Sequence, residues 1–203
     1  MRFLFILLLL FIGCDDNSVS PDVINYNSFD IEVLQDFIDA NQSLNGLNPI
    51  DIGIQVWDED YRLKELNLDE NSLTNIPESI GMLSNLTHLK LHDNNIIFIP
   101  DEITNLSNLD VLDLSRNQIA NLPESISDLN VFLLQLDYNE LTTLPANFCD
   151  ASEEDSVHIY YNNLCNEYRE SSDYPCVDFW EWEQNQSNCC EGPEGQSNWT
   201  NCP

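Results

Sequence analysis

A phrase of leucine, asparagine and proline recurs four times in the middle of this chain. It reads L-x-x-L-x-L-x-x-N-x-L-x-x-I/L-P-x-x-I, and its copies begin at Leu63, Leu86, Leu109 and Val131, so their spacings are 23, 23 and 22 residues. A fixed period of this length is typical of solenoids, in which a single repeat cannot bury its own apolar face and stacking makes the core continuous. The sequence therefore predicts a stack of four coils.

Each position of the repeat has a physical reason. The L-x-L pair alternates with period two, which predicts a strand with leucines inward and the intervening residues outward. The asparagine follows where the chain turns, and its side chain can bond backbone groups that the turn leaves unpaired. Proline cannot donate to a ladder of strands and belongs on the return side, where the final I-x-x-L pair has helical or 3₁₀ spacing. An array of amphipathic helices is disfavoured, because a proline in every copy would break them.

The phrase resembles the leucine-rich repeat family, in the L-x-x-L-P-x-x-I-x-x-L subclass of Ras-suppressor-like and plant disease-resistance-like repeats. The four copies occupy residues 63–148, and a fifth, partial copy has Val157, Ile159, Asn162 and Leu164. The resemblance implies an α/β fold, a leucine-rich repeat solenoid with a curved parallel β-sheet. It also implies a concave face that binds proteins or other large ligands, and it implies no catalytic residues.

The outward positions of the predicted strands give the candidate ligand-binding residues. They are Glu65, Asn67, His88, Lys90, His92, Val111, Asp113, Arg116, Leu133, Gln135, Tyr138, His158 and Tyr160. Tyrosine and arginine are frequent anchors of protein interfaces, and all three histidines of the chain fall in this set. An alternative interpretation is that the basic side chains only neutralise local acidity. A metal site at His88 and His92 lacks a clear third ligand, so we predict no metal and no cofactor.

The sequence does not predict an enzyme. Ser115, His92 and Asp113 have the residue types of a catalytic triad, but they fall on an open sheet where nothing excludes water or forms an oxyanion hole. The chain also lacks a glycine-rich phosphate loop and a nucleophile elbow. We therefore expect no catalytic residue.

The charge of the chain limits its partners. Its 36 acidic and 6 basic residues give a formal net charge of −30, which excludes nucleic acid as a direct partner because phosphates need Lys and Arg. A solvated surface adapted to salt is one interpretation of this charge. Capture of a basic partner, or of Ca²⁺ by residues 69–71 and 93–95, is the other.

The first 29 residues read as a targeting segment and a tether. Residues 1–13 have a basic start and a ten-residue apolar stretch at 3–12, too short to span a bilayer, and predict a signal peptide. Residues 11–14, FIGC, resemble a bacterial lipobox, which implies lipidation of Cys14. We expect residues 14–29 to form a lipid-anchored tether, with the membrane contacted through that lipid only, and the protein to be exported to the cell envelope, on the surface or the periplasmic side.

The ends of the solenoid need covers. Residues 30–62 are predicted as an N-terminal helical cap, with a helix at 30–40 and a strand at 52–57. Residues 149–203 are predicted as the partial repeat and a disulfide-rich C-terminal cap, because an even number of cysteines in an exported segment favours disulfides. These cysteines are Cys149, Cys165, Cys176, Cys189, Cys190 and Cys202.

Two functions remain open at this stage. The first is a non-enzymatic, lipid-anchored binding module that recognises a protein or other macromolecule on the concave face. The alternative is a glycan-binding or structural adhesin of the cell envelope, with Trp180, Trp182 and Trp199 as exposed stacking platforms.

Overall fold

The computed structural model describes residues 25–151 and 157–164. One α-helix, α1 (Ser28–Ala40), precedes a six-stranded sheet whose strands lie side by side in chain order. The strands are β1 (Ile54–Trp57), β2 (Leu63–Asn67), β3 (His88–Lys90), β4 (Val111–Asp113), β5 (Leu133–Gln135) and β6 (Val157–His158). Strands β2 to β6 are parallel, so the predicted solenoid with a parallel sheet is confirmed.

The pairing register aligns equivalent positions of the repeats. Leu66 pairs with Leu89, Leu89 with Leu112 and Leu112 with Leu134. All four of these leucines are buried, and the residues on either side of them point to the other face of the sheet, because strand side chains alternate. Outward residues at the same position of successive repeats therefore lie next to one another and form rows across the parallel strands.

The return side of each coil is a 3₁₀-helix, as predicted. These helices are Glu78–Met82, Asp101–Asn105, Glu124–Asp128 and Phe148–Ala151. A proline directly precedes each of the first three, and the central isoleucines Ile80, Ile103 and Ile126 are fully buried. Proline suits this place because its fixed φ prepares a helical turn and its missing N–H is not needed there.

The repeated asparagines form the predicted ladder of buried amides. Asn117 shows the pattern: its Oδ1 accepts the N–H of Ile96 at 2.9 Å, and its Nδ2 donates to the carbonyls of Leu91 and Leu114 at 2.9 and 3.0 Å. Asn94, Asn139 and Asn162 repeat this arrangement. Each amide therefore ties its own coil to the preceding one.

The first repeat departs from the ladder. The side chain of Asn71 is half-buried and, among the described residues, donates to the carbonyl of Asp69 in its own turn, at 2.7 Å, and to no other group. Its place in the preceding layer is taken by Asn41, after α1, whose Oδ1 accepts the N–H groups of Thr74 and Asn75 at 2.8 and 3.0 Å. A buried asparagine amide therefore also bonds the first repeat from the N-terminal side, and it comes from Asn41, which lies outside the repeats.

Helix α1 begins at Ser28, two residues before its predicted start. Asn27 caps it by accepting the N–H groups of Phe29 and Asp30 at 3.0 and 3.2 Å, which is the usual work of an N-cap side chain. Val33, Leu34 and Phe37 are fully buried in the same core as the repeat leucines. Tyr26 also packs on Trp57, with ring centroids 4.5 Å apart, so ordered contacts begin before residue 29, where the sequence placed the end of the tether.

Strand β1 is antiparallel to β2, whereas the resemblance implied a parallel sheet. The reason is the five-residue link 58–62, which contains a turn in which Tyr61 N–H bonds the Asp58 carbonyl at 3.0 Å. A link this short reverses the chain, because a parallel pair needs a crossover of about a dozen residues or more. Gly53 precedes β1 at φ +59°, and a side chain there would collide with the Asn67 carbonyl.

Several predicted features lie outside the described residues. They are the signal peptide 1–13, Cys14, most of the tether, three tryptophans and the cysteines Cys165, Cys176, Cys189, Cys190 and Cys202. Cys149 lies within the described residues, and the disulfides of the C-terminal cap stay a prediction. In the part of the chain that the structure describes, no helix combines the length and the apolar character needed to cross a membrane.

Candidate ligand-binding face

The predicted binding residues lie on the exposed side of the sheet or at the carboxyl ends of its strands, a surface we call the sheet face. One row is Glu65, His88, Val111 and Leu133. The next is Asn67, Lys90, Asp113, Gln135 and His158. Lys90 is exposed and the others are half-buried. Because the rows come from the pairing register, their spacing of about 4.7–4.9 Å is that of adjacent strands.

Strand β1 extends the sheet face by one apolar strip that the sequence reading placed in the N-terminal cap. Ile54 pairs with Asn67 and Val56 with Glu65, and the two apolar side chains are 68% and 40% exposed. Together with His88, Lys90 and their neighbours on β2 they line a small cavity of about 150 Å³. The alternation of apolar residues at 52–57 indicated a strand. That Ile54 and Val56 belong to the sheet face follows only from the antiparallel pairing with β2.

The middle of the sheet face carries a hydrogen-bonded chain of three side chains. Ser115 Oγ lies 2.5 Å from Asp113 Oδ1 and 2.8 Å from His92 Nδ1. The serine hydroxyl donates to the carboxylate, and it therefore accepts from the imidazole. A catalytic triad needs the histidine between serine and aspartate, whereas here the serine stands between the other two. Ser115 is also only 6% exposed, because the two side chains that it bonds cover it.

A third row runs along the carboxyl ends of the strands, one residue before the repeated asparagine of each copy. It consists of Glu70, Asp93, Arg116, Tyr138 and Tyr161, all exposed and all with φ between 54° and 58°. Residues other than glycine seldom take this left-handed conformation. Backbone bonds between coils hold this conformation at Arg116, whose N–H donates to the Asp137 carbonyl at 2.8 Å and whose carbonyl accepts from the Asn94 N–H at 3.2 Å. The left-handed turn directs these side chains away from the core.

The far end of this row is a stack. The Arg116 guanidinium lies 4.4 Å from the centroid of the Tyr138 ring, and the Tyr138 and Tyr161 rings are 4.3 Å apart with an interplanar angle of 14°. Tyr160, one of the predicted binding residues, is half-buried, and its N–H donates to Asp137 Oδ1 at 2.7 Å. Tyr161 is the residue in phase with Tyr138, because both precede a ladder asparagine.

Asp137 directly precedes Tyr138, and the pKa of its carboxyl is shifted. Desolvation by burial raises its pKa, opposed by the hydrogen bond from the Tyr160 N–H and by the nearby His158. The carboxyl pKa of Asp58, directly after β1, is shifted in the other direction. Hydrogen bonds from the Arg62 N–H and the Asn85 side chain lower it.

The acidic clusters considered for Ca²⁺ are largely committed to the fold. The amide of Asn94 is buried and fully used in the ladder, and Asp69 Oδ1 accepts the His92 N–H at 2.7 Å. Among residues 25–151 and 157–164, no group of three or more His, Cys, Asp or Glu side chains is placed to hold a metal ion.

The family assignment comes from comparison with known protein families. The leucine rich repeat family matches residues 61–119 and again residues 84–141, which is the segment where the coils stack. Residues 61–141 are leucine-rich repeats. No curated protein sequence matches the chain.

Solved leucine-rich repeat structures share the fold. The ectodomain of the receptor kinase SOBIR1 from Arabidopsis thaliana is 24% identical, with a TM-score of 0.55 over 79% of this chain and 92% of that one. The BIR2 ectodomain from Arabidopsis thaliana is 20% identical, with a TM-score of 0.52 over 80% and 96%. A crystal structure of PEPR1-AtPEP1 is 23% identical, with a TM-score of 0.58, and this chain spans 22% of the chain it matches. At these identities the likeness concerns the fold alone.

Proposed function

We propose that this protein is a non-enzymatic binding module that holds a segment of another protein against the concave sheet face. The observation that carries the proposal is the contrast between the two sides of the sheet. The inward positions repeat the same leucine in successive coils, whereas the outward rows change character at each coil. A surface that varies on a uniform scaffold is what specific recognition of an extended partner requires.

The sheet face has the parts of a protein interface. Ile54 and Val56 give an apolar strip at one end, and the stack of Arg116, Tyr138 and Tyr161 gives aromatic and cationic anchors at the other. Arg and Tyr are enriched among the residues that dominate binding energy. The same fold occurs in the PEPR1-AtPEP1 structure and in the SOBIR1 and BIR2 ectodomains.

The test is the double variant Tyr138→Ala and Tyr161→Ala. A partner is first isolated by affinity capture from the surface of the native organism, and its dissociation constant is then measured with the wild-type protein and the variant. We expect the double variant to bind at least about 100-fold more weakly, because two anchoring side chains are lost. Unchanged affinity for the captured partner would rule out this end of the sheet face.

A matched control separates loss of binding from loss of folding. The variant Phe98→Ala removes an aromatic side chain that is also exposed, at 62%. Phe98 is four residues after the ladder residue Asn94 and does not lie on the sheet face. We expect this control to keep wild-type affinity. Melting temperatures of both variants should stay close to that of the wild type, since an aromatic pair contributes only about 0.5–1.5 kcal/mol.

We further propose that the protein is exported and anchored through a lipid on Cys14, with α1 and the cysteine-rich residues 149–203 covering the two ends of the solenoid. The apolar stretch 3–12 and the lipobox-like sequence at 11–14 support this. Mass spectrometry of the protein from native membranes should find an N-terminal peptide that begins at an acylated Cys14. A peptide that begins elsewhere, with Cys14 unmodified, would contradict the anchor.

A further inference from the structure

A polar groove lies along the amino-terminal ends of the parallel strands. Arg116, Tyr138 and Tyr161 lie at the opposite, carboxyl ends. Its volume is about 530 Å³, within the range of roughly 300–1,000 Å³ that is usual for small-molecule sites. The residues that line it are Asp58, Lys64, Asn85, Thr87, Ser107, Asn108, Leu109, Asp110 and Asn130. Eight of the nine residues are polar, so the groove is suited to a ligand rich in hydrogen-bonding groups.

The repeat builds the groove from two rows. The first row is Lys64, Thr87 and Asp110, joined by backbone bonds of 2.8 Å from Thr87 N–H to the Lys64 carbonyl and from Asp110 N–H to the Thr87 carbonyl. The second row is Asn85, Asn108 and Asn130, each directly before the first apolar residue of its repeat. The groove is therefore as rigid as the coils themselves, and its side chains recur at the spacing of the coils.

Part of the groove is held in place and part is open. Asn85 Nδ2 donates to Asp58 Oδ2 at 2.9 Å, and Asn108 Nδ2 donates to the Ser84 carbonyl at 2.7 Å. In the described part of the chain, no hydrogen bond reaches the carboxylate of Asp110 or the side-chain amide of Asn130, and neither residue belongs to the fold's ladder. Fixed amides beside open acceptors and donors are the arrangement expected of a preorganised polar site.

The charges in the groove favour a neutral ligand. It contains two carboxylates, Asp58 and Asp110, and one ammonium, Lys64. An anion would be repelled by the carboxylates and by a protein of net charge −30. A metal cation would meet the Lys64 ammonium. A hydroxyl group both donates and accepts hydrogen bonds. The amides and carboxylates of the groove can therefore satisfy both roles of a ligand hydroxyl.

An exposed aromatic ring adjoins the groove. Phe132 follows Lys64, Thr87 and Asp110 at the same repeat position, and its N–H donates to the Asp110 carbonyl at 2.8 Å. Its side chain is 67% exposed, an unfavourable place for a phenylalanine in water. An aromatic ring next to polar side chains offers an apolar face for ring C–H groups, while the polar side chains bind hydroxyls.

We propose that this groove binds a neutral oligosaccharide, whose hydroxyls bond the Asp110 carboxylate and the asparagine amides and whose ring stacks on Phe132. The row from Lys64 to Phe132 crosses four coils, or about 14 Å at the spacing of adjacent strands, which is longer than one sugar ring. This site is separate from the sheet face and does not depend on the protein partner proposed above.

The test is a titration of the purified full chain with neutral trisaccharides of glucose, mannose, galactose and N-acetylglucosamine, followed by isothermal titration calorimetry and by the side-chain amide signals in ¹H–¹⁵N spectra. We expect at least one trisaccharide to bind and to shift the amide signals of Asn108 and Asn130. The variants Asp110→Ala and Phe132→Ala should each weaken that binding at least about tenfold, as loss of one well-placed contact does.

The controls decide between this site and others. Phe98→Ala removes an equally exposed phenylalanine outside the groove and should leave sugar binding unchanged, as should the Tyr138→Ala and Tyr161→Ala double variant on the sheet face. The proposal is overturned if none of the trisaccharides binds, or if binding survives both Asp110→Ala and Phe132→Ala. It is also overturned if Ca²⁺ alone shifts the Asn108 and Asn130 signals and the sugars do not. Failure here would leave the sheet-face result untouched.

Discussion

Replacing Asn117 by alanine is expected to lower the free energy of unfolding by about 3 kcal/mol or more. The side chain is buried, and its removal leaves the Ile96 N–H and the Leu91 and Leu114 carbonyls without their partner. Each buried backbone group left unsatisfied costs about 1–3 kcal/mol. Domains are stable by only about 5–15 kcal/mol, so the variant should unfold at a much lower urea concentration, measured by circular dichroism.

The control for this variant is Asn71→Ala, at the same position of the first repeat. Asn71 is half-buried and its amide donates only to the Asp69 carbonyl, so we expect a loss of about 1 kcal/mol or less. The comparison holds residue type and repeat position constant and changes only whether the amide joins two coils. Equal losses for the two variants would show that the ladder contributes little to the stacking of the coils.

Replacing Asp30 by alanine is expected to cost about 3–5 kcal/mol, as breaking a buried ion pair does. Asp30 is fully buried, and its carboxylate accepts from Arg62 Nε and Nη2 at 2.9 and 3.0 Å and from the Leu63 N–H at 2.8 Å. These bonds raise the pKa of the Arg62 guanidinium further and join the first turn of α1 to the start of β2. The loss of stability is measured by urea unfolding.

A double-mutant cycle isolates the ion pair. The variants Asp30→Ala, Arg62→Met and the double variant should show a coupling energy above about 1 kcal/mol, because Arg62 and Asp30 share one network. Asp39→Ala is the control on the same helix, since Asp39 is exposed and bonds only Gln35; we expect its effect to stay within about 0.5 kcal/mol. An Asp30→Ala variant as stable as Asp39→Ala would refute the account of how α1 is attached.

Both stability predictions bear on function through rigidity. The left-handed residues Arg116 and Tyr138 keep their conformation because backbone bonds between coils hold them, and such conformations persist only where the surroundings determine them. When a ligand binds a row of side chains that is already ordered, less conformational entropy of the protein is lost on binding. The asparagine ladder, one residue further along, is therefore part of what keeps the binding rows in register.

The period of the repeat was enough to predict the coils, because local rules decide them. Leucine alternation indicates the strands, proline marks the start of the return helices, and asparagine at a fixed position indicates the ladder; all of these were confirmed. The same frame correctly placed the outward rows of β2 to β5. The period does not reach α1 and β1: a helix and a strand were predicted there and are present, but the helix begins two residues earlier and the direction of the strand was not predicted.

What the sequence by itself determined is the stack of coils, since each coil depends on residues within a single repeat and on identical neighbours. Only the tertiary structure decided which side chains meet between coils and at the ends. It placed Ile54 and Val56 beside β2, paired Tyr138 with Tyr161 and not with Tyr160, and buried Ser115 between Asp113 and His92. The physical reason is that strand direction and the left-handed turns set these contacts, and both arise from hydrogen bonds between segments distant in sequence.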